Sequence, residues 1–247
     1  MLNDIYLGVK FALSYFSIIP IHFRETDNLS TKRVLAFMLL SLPFVGVLLG
    51  TITVTIYSLL EHLGWYGALI SALIYMMLYG FIHTEAVIDV ADAIYASHGG
   101  KDSYEIIKEP TVGAMGVLYA VATMLLKISG VIYLLMHGFL MEFIAIIVLS
   151  RISLLLLFYL HTFRSSFATQ LKESLGKIHL IGSSILIVVM TLTLTYHTLW
   201  LLPLALLFAS LISWSIKKRI GFVNGDVLGT TLEGVETLLF FVVALWL

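Results

Sequence analysis

Eight apolar runs dominate the chain, near residues 5–21, 34–60, 64–82, 112–136, 140–160, 180–197, 199–215 and 231–247. Each is long enough for a helix, and a membrane span needs about 20 apolar residues. A soluble core has no room for so many. Hydrophobic residues make up 60% of the 247 and charged residues only 12%, against about 45–50% and about 25% in soluble domains. The expected fold is therefore all-α: a single transmembrane domain over residues 1–247, a polytopic helix bundle in a lipid bilayer with seven or eight transmembrane helices. The first run is the weakest, because Lys10 and Pro20 interrupt it and an interfacial helix would suit it equally. Residues 1–23 carry Asp4 in place of a basic region and no small-residue cleavage site, so a retained segment is expected and not a removed signal peptide.

The polar connections carry the chemistry. If the runs are spans, the connections at about 22–33, 83–111, 161–179 and 216–230 share one side of the membrane. They hold Arg24, Lys32, Arg33, Lys101, Lys108, Arg164, Lys172, Lys177, Lys217, Lys218 and Arg219, eleven of the 14 Lys and Arg. The opposite connections, 61–63, 137–139 and 197–199, hold none. Cytoplasmic loops concentrate Lys and Arg, so the first set is expected in the cytoplasm. Lys10, Lys127 and Arg151 remain inside apolar runs.

A formal net charge of −1 gives no bulk field to recruit nucleic acid, and none is expected as a partner. With no cysteine, thiolate nucleophiles, iron–sulfur ligation and disulfides are excluded. Oxygen and imidazole ligands remain, with magnesium or manganese leading the hard cations.

Glu85, Asp89 and Asp92 follow an i, i+4, i+7 pattern that puts three carboxylates on one helical face. Two readings fit that face: a divalent cation offsetting the mutual repulsion, or a solvated, acidic interfacial helix. Near the C-terminus Asp226, Thr230 and Glu233 repeat the spacing, and Glu233 and Glu236 enter an apolar run. A carboxylate at that depth needs a polar cavity or a partner, and Lys127 and Arg151 are equally misplaced cations. A third element, residues 108–116, combines Lys108, Glu109 and Pro110 with Gly113 and Gly116 at a helix start. Free backbone N–H groups there suit phosphate oxygens, and tight helix packing through the two glycines is the competing explanation. His83 lies at the mouth of the acidic helix, whereas His62, His137 and His197 fall at the opposite face.

Together these elements resemble the cobalamin synthase family of integral membrane adenosylcobinamide-GDP ribazoletransferases. The family segment His-Leu-Asp-Gly-Leu-Ala-Asp-x-x-Asp-Gly is matched by residues 83–93, with His83, Glu85, Asp89 and Asp92 in register. Its Asp-Pro/Ser-Arg-x-Gly-x-x-Gly element is matched by 109–116, and its Gly-Asp-x-x-Gly-Ala-x-x-Glu-x-x-Glu element by 225–236. Ser150 and Arg151 look like the family's Ser-Arg, and Lys127 with Ile128 like its Lys-Ile. There are departures. Glu85 and Glu109 stand for Asp, Ala86 and Ala93 for Gly, and Thr111 for an Arg whose bidentate fork is lost. An N-terminal Arg is absent before Pro20, and Lys108 or Arg164 would have to supply the missing charge.

The resemblance implies a magnesium-dependent transfer at the cytoplasmic face of the bacterial inner membrane. In the family, the hydroxyl of α-ribazole or its 5′-phosphate attacks adenosylcobinamide-GDP and GMP leaves. It implies catalytic positions at Glu109, Asp226, Glu233 and Glu236, and phosphate contacts from Lys108, Lys127, Arg151, Gly113 and Gly116. It implies magnesium on Glu85, Asp89, Asp92 and Asp226. Association with a second copy or with other cobalamin-pathway enzymes is left open. Two other classes fit the same residues: a cation- or proton-coupled transporter, which also buries carboxylates, and a corrinoid-binding homologue without turnover.

Overall fold

The computed structural model describes residues 1–97, 100, 102–109, 111–176 and 198–246, and every regular element among them is helical. The N-terminal half comprises α1 (Leu2–Phe16), α2 (Lys32–Leu40), α3 (Leu42–Leu60), a 3-10 turn (Glu61–Leu63), α4 (Trp65–Leu78) and α5 (Ile82–Ser97). Then follow α6 (Ser103–Lys108), α7 (Ala114–Met136), α8 (Leu140–Leu160), α9 (Ser166–Ser174), α10 (Leu201–Ile220) and α11 (Gly225–Trp246).

Burial follows sequence character. The α8 helix is predominantly apolar and 83% buried, so it forms the axis of the bundle. Peripheral α7 and α10 bury only 22% and 28% and present aliphatic side chains outward, the pattern of helices that face lipid. Helix α3 runs antiparallel to α8, with Gly46 against Ile147 and Gly50 against Ile144. That pairing puts residues 61–63 and 137–139 at one end. The opposite end collects α1, α2, α5, α6, α9, the C-termini of α8 and α10 and the N-termini of α7 and α11. There His161 Nε2 meets Ser213 Oγ at 3.0 Å, and Arg164 N donates to the Val223 carbonyl at 2.8 Å.

The described helices include five long and apolar enough to cross a membrane, or six if one bent pair counts as a span. That differs from the expected seven or eight for identifiable reasons. Run 5–21 yields a 15-residue α1, about 22 Å long and short of a bilayer core. Run 180–197 lies outside the described residues. Run 64–82 does not cross as one helix: α4 stops at Leu78, the chain turns through Gly80 (φ 64°) and Phe81 (φ 55°), and α5 departs at 76°. Glycine takes this left-handed backbone without strain, and Phe81 does not. The freed Leu78 carbonyl accepts from Ile18 N at 2.8 Å, so the irregular segment after α1 satisfies a broken helix end. The acidic segment of the 83–111 connection is consequently a packed helix, as the i, i+4, i+7 spacing of its acids implies.

Candidate functional site

Helices α5 and α11 cross at the polar end. Thr230 Oγ1 donates to the Ala86 carbonyl at 2.8 Å. A Cβ on Gly229 would lie 2.8 Å from that of Ala86, so glycine here lets the helices touch. Asn224 caps α11, accepting from Val227 N at 3.1 Å while its Nδ2 donates to Asp226 Oδ2 at 2.7 Å. The crossing brings Asp89 into the electrostatic field of Asp226, Glu85 and Asp92. Two acidic stripes some 140 residues apart therefore form one patch, with Glu85 exposed and Asp89, Asp92 and Asp226 partly buried.

Asp92 has a separate task. Its two carboxylate oxygens accept from Gly113 N at 2.6 Å and Gly116 N at 2.7 Å, capping the unpaired start of α7. The N–H groups expected to hold phosphate are thus occupied by a side chain of the protein. Pro110 lies outside the described residues. Exposed Glu109 closes α6 and accepts from Thr111 Oγ1 at 3.4 Å. Lys108 Nζ sits 3.9 Å and the Arg164 guanidinium 3.7 Å from the centre of the Tyr104 ring, so two cations share one aromatic anchor.

About 12–16 Å along α11 from its start, at a rise of about 1.5 Å per residue, lies a closed charge cluster. Lys127 Nζ stands 2.7 Å from both Glu233 and Glu236, and Arg151 Nη1 lies 2.8 Å from Glu236. All four side chains are at most 1% exposed. Two cations and two anions cancel, which is what such burial demands. Tyr75 donates to Glu236 at 2.7 Å, Ser150 to Glu236 at 2.9 Å and Tyr79 to Glu233 at 3.2 Å. The cluster ties α4, α7, α8 and α11 together, and of the two cations that the sequence offered as partners, Lys127 is the one that pairs with Glu233. Arg151 Nε and Nη2, one bidentate edge of the guanidinium, have no partner.

A cavity of about 240 Å³ opens between α1, α5, α8, α9 and α11. Rings of Tyr15, Phe16, Phe158 and Phe167 supply much of its wall, and His83 and Asp226 are polar groups in it. His83 is 4% exposed, stacks on Tyr79 with 5.4 Å between ring centroids, and leaves Nε2 without a partner.

Sequence reasoning missed Tyr75, Tyr79 and Asn224. Two tyrosines at i, i+4 in an apolar run were the available signal, since a buried phenol needs a partner.

Among the described residues no three His, Asp or Glu side chains converge on a metal position. Asp92 is committed to α7 and one oxygen of Asp226 to Asn224. The remaining donors, Glu85, Asp89 and the second Asp226 oxygen, are hard oxygens in a shared field. They fit magnesium in the form it usually takes, with one or two carboxylates and the rest of its shell from water and substrate phosphate, and they do not fit an all-protein cage.

The fold defines an integral membrane helix bundle, with a patch of carboxylates gathered at one end. The chain matches the family described as Cobalamin-5-phosphate synthase over residues 8–244 and belongs to it. That is the family its three motifs resemble, and membership makes the protein a transferase and sets aside the transporter reading. Curated relatives include the adenosylcobinamide-GDP ribazoletransferase of Clostridium perfringens, 29% identical over 245 residues and 94% of each chain. Those of Chlorobium chlorochromatii and Chlorobaculum parvum are each 30% identical over 251 residues, covering 97% of this chain and 94% and 96% of theirs. No solved structure matches.

Proposed function

We propose that the protein is an adenosylcobinamide-GDP ribazoletransferase of the bacterial inner membrane, with its polar end facing the cytoplasm. Asp89 and Asp226, brought into one patch by the α5 and α11 crossing, are the observation that carries this reading. Similarity along nearly the whole chain to relatives of that name supports it.

The hydroxyl of α-ribazole or its 5′-phosphate attacks the cobinamide-side phosphorus. A new P–O bond forms, the P–O bond to the bridging oxygen breaks, and GMP departs with that oxygen. The hydroxyl proton passes to a carboxylate of the patch, for which Asp226 is best placed because it also lines the cavity. Asp89, with Glu85 beside it, would hold magnesium, which would supply charge neutralisation to the pyrophosphate and leave the second Asp226 oxygen free to take the proton. Lys108 and Arg164, gathered on Tyr104, face the outer phosphate charge in place of the arginine that Thr111 replaces. Glu109 is exposed beside them. Lys127, Arg151, Glu233 and Glu236 hold helices below the site in position.

Purified protein incubated with adenosylcobinamide-GDP, α-ribazole 5′-phosphate and magnesium should yield GMP and the joined corrinoid by mass spectrometry. Tight binding of both substrates with no product would replace this reading with that of a non-catalytic homologue.

A further inference from the structure

We propose that the cavity beneath Asp226 is the seat of a flat, bicyclic nitrogen heteroaromatic group, the base of the attacking substrate. The proposal rests on the transferase reading and goes beyond it by assigning the nucleophile its own subsite. Size is the first argument. An apolar cavity of about 150 Å³ admits benzene, so about 240 Å³ admits a fused ring system. The walls are the second: Tyr15, Phe16, Phe158 and Phe167 offer faces and edges to an aromatic guest, with aliphatic side chains between them. The third is His83. Its Nε2 is buried with no partner, a state that costs free energy in the absence of a guest. The free ring nitrogen of a base that carries its sugar on the other nitrogen is an acceptor, and it meets that atom when the imidazole proton sits on Nε2.

Position completes the argument. Asp226 belongs both to the cavity wall and to the carboxylate patch. A base seated against His83 therefore directs the sugar attached to it toward Asp226, and its hydroxyl toward the reacting phosphorus. The acceptor half of the reaction is held by shape, while the pyrophosphate half is held by charge.

The probe is 5,6-dimethylbenzimidazole without sugar or phosphate, titrated against the full-length protein in detergent by equilibrium dialysis, with empty micelles as the blank. Saturable binding is expected in wild type. Ala168→Phe, which fills the cavity from α9, should weaken it at least tenfold, and His83→Phe should do the same while keeping an aromatic ring of similar bulk. Because Ala168→Phe risks misfolding, wild-type competition provides a second measurement: guanosine should fail to displace the base, whereas α-ribazole should displace it fully. Absence of saturable wild-type binding, undiminished binding in both variants, or a co-purified lipid chain that the base cannot displace would overturn the subsite. Base binding without transfer activity would instead overturn the transferase reading and leave the subsite standing.

Discussion

Asp92 on α5 and Gly116 on α7 are joined by a 2.7 Å hydrogen bond from the glycine N–H, and a Cβ on that glycine would lie 2.5 Å from the other carboxylate oxygen. The same Cβ would lie 2.7 Å from the Ile88 backbone carbonyl, which cannot swing aside. Gly116→Ala should therefore lower stability by about 1–3 kcal/mol, the usual cost of overpacking. Thermal unfolding in detergent measures it. An unchanged midpoint would mean that α5 and α7 do not approach this closely.

Removing the cap from the other side is milder. Asp92→Ala frees two N–H groups at a helix start and should cost about 0.5–2 kcal/mol. Asp92→Asn, which retains one acceptor oxygen, should fall between that variant and wild type in the same melt.

The buried cluster predicts a larger and conditional effect. Lys127→Met strands Glu233 and reduces the compensation of Glu236, so a loss of about 3–5 kcal/mol is expected. Adding Glu233→Gln should recover part of it, because the uncompensated charge is then gone. If the double variant melts below the single one, the two residues do not act as an ion pair.

Activity should separate from stability at the patch. Asp89→Asn and Asp226→Asn each leave the charge cluster intact and should fold like wild type, yet both should lose turnover. Combined, they should be no worse than either alone, as for groups that act as one unit. Full turnover by Asp226→Asn would remove that carboxylate from the reaction.

Orientation is open to a direct test in a chain without cysteine. Exposed positions at the polar end, Asn28→Cys, Asp102→Cys, Gln170→Cys and Lys218→Cys, should resist an impermeant thiol reagent in intact cells. His62→Cys and His137→Cys, from the opposite end, should react. The reverse pattern would invert the protein in its membrane.

Much of this architecture is written in local pattern. Apolar run length marks the five long helices that can span, though not the short α1 or the break in run 64–82, and i, i+4, i+7 spacing puts Glu85, Asp89 and Asp92 on one helical face, because helix geometry depends only on residues within two turns. The distribution of Lys and Arg grouped the connections, and those described do gather at one end of the bundle. Even the need for partners at Lys127, Arg151, Glu233 and Glu236 is legible, since isolated charges are not tolerated at depth. Which partner each takes is not. Lys127 meets Glu233 across 106 positions and Arg151 meets Glu236 across 85, choices made by how four helices pack. The break after α4 depends on two residues of unusual backbone and on a carbonyl satisfied by Ile18, far away in sequence. The acidic face likewise divides its work only in three dimensions: Asp92 falls to the start of α7 because that helix begins beside it, while Asp89 comes within the field of Asp226 because α11 crosses at Ala86. Local spacing sets which groups share a face, and the packing of distant helices against that face sets what each group does.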